Sequence, residues 1–397
     1  MQMLKIRLMI MSTVLLTTLT CLAETTPKPA APPPMGWNSW NWFGRNINEQ
    51  TVRQCMDAIV NQGLREAGYI YVVVDGGWRD SKLGPNGELR PNPEKFPQGM
   101  KNLVDYAHAQ GLKFGLHTVP GTFDCRGDPV GGYGHEEVQI KQFVSWGLDF
   151  VKLDKCRFAG GWDDEVLWTT YTKWHDLLAH SGRDIVFSMS TYKYYNWYPA
   201  LGQMGRTTED IRAKVNKGAV FAHVPGSVMT IAEKNNAVAA SAGKGYWNDP
   251  DMLATGDQGL TADEQQSHFA LWCVMSSPLM LGNDPRNMLP TEKELILNRD
   301  CIGIDQDPTE QGKRLTTEGD LEIWVKKLAG GCSAVLLLNR HDSKSLAPIV
   351  NWNKLGLPGG FKVKDVFKKV EMGVQASLPS DPIPSHGCRL LLLSPKS

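Results

Sequence analysis

Short apolar runs recur along the chain, and several end in a carboxylate. Tyr69-Ile70-Tyr71-Val72-Val73-Val74 runs into Asp75, and Gly147-Leu148-Asp149-Phe150-Val151-Lys152-Leu153 into Asp154. Arg206-Thr207-Thr208-Glu209 leads to Asp210, and Gly245-Tyr246-Trp247-Asn248-Asp249-Pro250 to Asp251. Brief runs of this kind, rich in β-branched and aromatic residues, predict buried strands of a parallel sheet. Eight such strands fall near 35–40, 69–75, 113–118, 148–154, 184–189, 205–210, 246–252 and 276–282. Amphipathic helical patterns fill the intervals, for example 49–62 and 96–110, the second with Pro97 near its start and Gly111 just past its end. The interval between strands six and seven is weakly patterned. The alternation predicts a (β/α)8 TIM barrel over 35–308 with its chemistry at the C-terminal strand ends.

After Asp305-Gln306-Asp307-Pro308 the period changes. Leu321-Glu322-Ile323-Trp324-Val325-Lys326 alternates, Ala334-Val335-Leu336-Leu337-Leu338 is a buried run, and Leu390-Leu391-Leu392-Leu393 closes the chain. These short strands predict a small antiparallel β-sandwich over 309–397.

The N-terminus adds an address. Lys5 and Arg7 precede Leu8-Met9-Ile10-Met11 and Val14-Leu15-Leu16, and Cys21-Leu22-Ala23 offers small residues for cleavage, so 1–23 reads as a secretory signal. The stretch is too short and Thr-rich for a membrane-spanning segment. Lipidation at Cys21 is the lesser alternative, because Thr20 stands where a smaller residue is usual. The segment 24–34, ETTPKPAAPPP, is a Pro-rich linker. An exported chain permits disulfides. Cys125 and Cys156 each lie just past a predicted strand on one barrel face and form the preferred pair; Cys332 and Cys388 are a second candidate.

Formal net charge is zero and no basic block occurs, so electrostatics nominates neither nucleic acid nor an anionic membrane as partner. Thirteen tryptophans without a basic stripe suit sugar stacking better than base stacking. A ring of acids at one barrel mouth suits acid/base or nucleophilic work on a polyhydroxylated substrate, although a strand-terminal Asp is often only the cap of the next helix. The cysteines show no zinc-type spacing.

Several motifs in one order sharpen this picture. Pro34-Met35-Gly36-Trp37-Asn38-Ser39-Trp40-Asn41, Lys113-Phe114-Gly115-Leu116, Trp146-Gly147-Leu148-Asp149-Phe150-Val151-Lys152-Leu153-Asp154, Gly245-Tyr246-Trp247-Asn248-Asp249-Pro250-Asp251 and Ile304-Asp305-Gln306-Asp307-Pro308 together resemble glycoside hydrolase family 27, the α-galactosidase and α-N-acetylgalactosaminidase family. The resemblance implies a retaining exo-glycosidase acting on carbohydrate, with no cofactor and no metal. By it, Asp154 matches the nucleophile and Asp210 the acid/base, while Trp40, Arg206 and Asp251 match sugar-contacting positions. A retaining hydrolase needs its two carboxyl groups about 5–5.5 Å apart. Lys152 lies two residues before Asp154, so strand alternation points both into the same mouth, where the ammonium favours an ionised Asp154.

The sugar-reading positions depart from the family. Where two acids are usual after strand two, the chain reads Asp75-Gly76-Gly77-Trp78. Ser190 stands where galactosidases carry a Glu, and His117 where a Tyr is common. The loop 192–198 packs five aromatics into seven residues, either as stacking platforms or as loop core. The expectation is therefore hydrolysis of terminal α-D-galactosyl-type residues. The alternatives are β-L-arabinopyranosides, α-N-acetylgalactosaminides, a silent carbohydrate-binding barrel, and a metal-dependent barrel enzyme, which Lys152 beside the central acid opposes. The sequence assigns no oligomeric state.

Overall fold

The computed structural model describes residues 31–212, 221, 224–243, 245–256, 258–357 and 360–395. The expected signal, Cys21 and most of the linker lie outside them. Eight strands alternate with helices: β1 Met35–Asn38, β2 Tyr71–Val74, β3 Lys113–Thr118, β4 Phe150–Asp154, β5 Val186–Ser190, β6 Met204–Arg206, β7 Trp247–Asp249 and β8 Leu279–Leu281. They form one parallel sheet in which β1 pairs with both β2 and β8. A single parallel bridge closes the circle past β7. The Leu253 N–H donates to Met280 O at 2.8 Å, and the Gly282 N–H donates to Leu253 O at 3.0 Å.

Strand alternation sorts the barrel's residues. Val72, Val74, Leu116, Val151 and Leu153 point outwards into the core shared with the helices. Val73, Phe150, Met204 and Met280 fill the interior. Along β4, Phe150, Lys152 and Asp154 therefore occupy successive interior layers, from plug to mouth.

Some element boundaries differ from the pattern-based expectation. The helix expected over 49–62 is Glu49–Asn61, capped by Asn48, whose side chain accepts the Thr51 N–H at 2.8 Å. The one expected over 96–110 is Gly99–Ala109. Its start is delayed because the Phe96 N–H bonds Asn92 O at 2.8 Å and the Gln98 N–H bonds the Glu49 carboxylate at 3.1 Å, which holds residues 96–98 in a turn. Strand six stops at Arg206 rather than at 210, so Asp210 stands on a loop.

The C-terminal strands are β9 Lys313–Glu318, β10 Leu321–Lys327, β11 Ser333–Asn339, β12 Lys362–Asp365, β13 Val370–Val374 and β14 Cys388–Ser394. They form one antiparallel sheet in the order β13-β12-β14-β11-β10-β9. One face, with Trp324, Leu336, Leu338 and Leu390, joins the barrel core. The other, with Ile323, Val335, Leu337 and Leu391, is covered by Val350, Trp352, Leu355 and Leu378. Burial on both faces explains the unbroken leucine runs. Lys326 crosses the junction fully buried. Its Nζ donates to Ser276 Oγ at 2.6 Å, to Asp307 O at 3.0 Å and to the Ile304 carbonyl, and burial pulls its pKa down to about 8.

Cys125 and Cys156 are disulfide-bonded, with Cα atoms 4.8 Å apart. The second expected pair does not form: Cys332 and Cys388 are free. The antiparallel register places Ser333 opposite Leu393 and Leu338 opposite Cys388. The two cysteines therefore lie at opposite ends of the ladder, about 20 Å apart at the usual rise per residue. No helix among the described residues is long and apolar enough to cross a membrane.

Candidate active site

A cavity of about 260 Å³ opens at the C-terminal mouth of the barrel. Trp40, Asp75, Lys152, Asp154, Arg206, Asp210 and Asp251 all line it. Seven of the eight expected catalytic and sugar-binding residues thus meet there. Ser190 does not line the cavity: it is fully buried beside Asp154 in the β4–β5 register, and its Oγ has no hydrogen-bond partner among the described residues.

Asp154 ends β4 and is 8% exposed. Its Oδ2 is 3.3 Å from His117 Nε2, while Oδ1 makes no hydrogen bond among the described residues. Burial alone would favour the neutral acid. The His117 hydrogen bond and the Lys152 charge outweigh it and hold Asp154 at about 2. The site thus maintains a charged carboxylate with one oxygen unengaged.

Lys152 is held in turn by Asp75, with Nζ 2.7 Å from Oδ2. Asp75 also receives the Asn38 amide at 3.0 Å and the Gly76 N–H at 2.7 Å. Burial opposes charge on Asp75, yet Lys152 and His117 keep it well below the usual carboxylate range. A second ion cluster occupies the opposite wall. Arg206, 2% exposed, lies 3.0 Å from Asp210 and 3.1 Å from Asp251. Burial raises Asp251 to about 6, against the pull of Arg206. Asp251 also carries a left-handed backbone, φ +87°, and its Oδ2 accepts the Ile211 N–H at 2.8 Å, which ties the loop bearing Asp210 to the strand-seven end.

Asp210 differs from Asp154 in exposure. Its side chain is 64% exposed, against 11% for Asp154. One carboxylate is sunk at a strand end and the other stands on the solvent side of the same cavity. This arrangement allows one group to attack and another to exchange protons with water.

Strand reasoning left several lining residues without a role. Tyr192, φ +65°, turns into the cavity from the loop after β5, and its ring centroid is 6.0 Å from the Arg206 guanidinium carbon. Burial, and then the charges of Asp154 and Asp210, push its phenol pKa far up, so it remains a donor. The rest of that aromatic loop is mainly packing: Tyr195 and Tyr198 are buried, and Tyr195 stacks on Trp197 at 5.0 Å. Arg45 and Arg79 enter from loops after β1 and β2. Burial lowers Arg79 to about 10. Gly76 has a packing reason as well, since a Cβ there would come within 3.2 Å of the Trp40 ring.

His117, Asp154 and Cys156 approach one another within 4.8 Å, a spacing that could serve a metal ion. The Cys156 sulfur is committed to its disulfide, however, so this set offers no thiolate ligand.

The family model described as Alpha galactosidase A matches residues 32–307, and that of the Alpha galactosidase C-terminal beta sandwich domain matches 318–393. The alpha-galactosidase of Cyamopsis tetragonoloba is 38% identical over 371 residues, covering 92% of this chain and 87% of the relative. That of Oryza sativa subsp. japonica is 36% identical, covering 91% and 85%. Among solved structures, alpha-galactosidase I from Mortierella vinacea superposes with a TM-score of 0.85 at 31% identity, covering 93% of this chain and 98% of that one. A GH27 β-L-arabinopyranosidase from Geobacillus stearothermophilus shares the fold, with a TM-score of 0.81 at 23% identity over 92% and 97% of the two chains. The chain belongs to the alpha-galactosidase family, glycoside hydrolase family 27, and is a glycoside hydrolase.

Proposed function

We propose that the protein is an exported retaining exo-glycosidase that releases terminal α-D-galactosyl-type residues from oligo- or polysaccharides. The observation that carries this reading is the pair of unlike carboxylates in one cavity: Asp154, buried, ionised and with a free oxygen, and Asp210, exposed beside Arg206. Asp154 attacks the anomeric carbon as the glycosidic C–O bond breaks, and Asp210 gives its proton to the departing oxygen. Asp210, now a carboxylate, takes a proton from water. The resulting hydroxide-like oxygen attacks the same carbon and releases Asp154, so configuration is kept.

Trp40 supplies an apolar wall for the sugar, while Asp75, Lys152, Arg206 and Asp251 supply hydrogen-bond partners to its hydroxyls. Gly76 contributes no acid, and the nearby Arg45 and Arg79 offer donors on the same cavity lining. The Cys125–Cys156 bond suits an oxidising compartment, in keeping with export. The withdrawal of Ser190 from the cavity and the missing carboxylate at Gly76 favour one second reading, the same mechanism on β-L-arabinopyranosides or α-N-acetylgalactosaminides.

A panel of aryl α-D-galactoside, α-N-acetylgalactosaminide and β-L-arabinopyranoside separates these readings, with Asp154→Asn as control. Fastest turnover is expected on the α-galactoside, with an α-configured first product by NMR. Near-normal turnover by Asp154→Asn would remove it from the nucleophile role, and a β-configured first product would overturn retention.

A further inference from the structure

The cations of the catalytic cavity fall into two kinds. Lys152 is paired with Asp75, and Arg206 with Asp210 and Asp251. Arg45 and Arg79 line the same cavity, yet neither makes an ion pair among the described residues. We infer that these two guanidinium groups receive an anion, a uronate carboxylate or a sulfate ester, carried on the exocyclic carbon of the terminal sugar. The inference rests on the reading that the cavity holds that sugar.

Position assigns the anion to the sugar rather than to the leaving group. Arg79 follows β2 and Asp210 follows β6, and the order of the eight strands sets β2 and β6 directly across the barrel from each other. The departing oxygen takes its proton at Asp210, so a group held across from it belongs to the ring that stays. On that same side Gly76, three residues before Arg79, presents no carboxylate to neutralise it.

Both arginines are placed by their backbones. Residues 78–80 run antiparallel to 90–92, with the Asn92 N–H donating to Trp78 O and the Asp80 N–H to Arg90 O, each at 2.8 Å. At Gly77, φ +101°, a Cβ would lie 2.8 Å from the Arg45 Cα, so glycine lets the two loops approach this closely. The Arg79 guanidinium itself meets little: Nη1 lies 3.4 Å from Thr118 Oγ1, and its carbon 5.9 Å from the Trp78 ring centroid. Most of its five N–H donors remain to be satisfied. The placement is unfavourable without a ligand. Burial, and then the like charge of Arg126, lower the Arg45 pKa against the pull of Asp124 and Asp128. At Arg79 burial likewise outweighs Asp124, Asp75 and Asp154. Asp124 acts on both only through its charge, and its Oδ1 already accepts the N–H groups of Arg126, Gly127 and Asp128 at 2.8, 3.0 and 3.0 Å. Two desolvated forks in one cavity match the paired oxygens of an anion better than a lone hydroxyl.

The test compares an aryl α-D-galactoside with the corresponding α-D-galacturonide and with the galactoside 6-sulfate, at one pH and one salt concentration. The unsubstituted enzyme is expected to show a kcat/KM on one of the two anionic substrates at least about tenfold above that on the neutral one, and the preferred substrate identifies the anion. In Arg79→Gln, and independently in Arg45→Gln, that preference should fall by roughly tenfold to a hundredfold, the scale of charge-assisted hydrogen bonds. Arg79→Lys, which keeps the charge and loses the fork, should retain only part of it. A neutral substrate turned over faster than both anions, or a preference unmoved in both glutamine variants, would overturn the inference and leave the glycosidase reading standing. No turnover of any of the three by the unsubstituted enzyme would instead defeat the reading of the cavity, and the anion site with it.

Discussion

Replacing Lys152 by Met tests the electrostatic logic of the cavity. The ammonium lies 2.7 Å from Asp75, with the two side chains 13% and 5% exposed, and its charge also lowers the pKa of Asp154. Asp154 moves from its ordinary 3.8 to about 2, a preference for the charged form of about 2 kcal/mol. Because the folded-state pKa is depressed, this stabilises the fold at neutral pH and is lost as pH falls from about 4 towards 2. In Lys152→Met, burial acts on Asp75 and Asp154 opposed by His117 and, at Asp75, by the Asn38 and Gly76 hydrogen bonds, and two neighbouring carboxylates share a site without their main cation. One must then take up a proton at a pH nearer neutrality. The acid limb of kcat/KM should rise by about two pH units. Stability to urea should fall by about 3–5 kcal/mol, the scale of breaking a buried ion pair. Adding Asp75→Asn should recover part of that stability, since it removes one of the stranded charges. A pH–rate profile and urea melts at pH 7 and pH 4 read all three. An unmoved acid limb, with a stability loss under about 1 kcal/mol, would refute the argument.

His117→Phe deletes the 3.3 Å contact to Asp154 Oδ2, so the same acid limb should move upwards. His117→Gln, which can still donate, should move it less, as a pH–rate series would measure. Lys326→Met should destabilise the protein by about 3–5 kcal/mol, because Asp305 and the carbonyls of 304, 305 and 307 lose their buried cation. The kcat of the folded fraction should not change, and urea melts beside single-point assays separate the two effects. Replacing Cys125 and Cys156 together by Ala should cost about 2–4 kcal/mol, as expected for a bond closing a loop of this length. Melts of the natural protein with and without reductant should differ by the same amount.

The strands were legible because each is a short apolar run closed by a polar residue, and burial on both faces writes such runs plainly. Lys152 and Asp154 were legible for a simpler reason: alternation alone puts them on one side of β4, and they do share one cavity. Ser190 shows where that logic stops. It holds the register position opposite Asp154, yet Tyr192, two residues further on, is the member of that loop that lines the cavity. A left-handed backbone at a tyrosine leaves no mark on hydropathy. Arg45, Arg79 and Asp210 stand on loops, whose paths are set by contacts between distant residues rather than by local period. The error over Cys332 and Cys388 has the same origin, because strand order and direction in the second sheet decide which cysteines can meet.

The helix Ala262–Val274 has no solvent face along its second half: every residue from Ser267 to Val274 is buried. It is packed against the barrel on one side and against β10, β11 and β14 on the other. On the ribosome this has a temporal meaning. Every barrel strand emerges before β14, but that helix stays half uncovered until β14 arrives. The nascent barrel therefore carries an exposed apolar stripe until the second sheet is complete. Chains ending before Cys388 should fail by aggregation rather than survive as a small active enzyme.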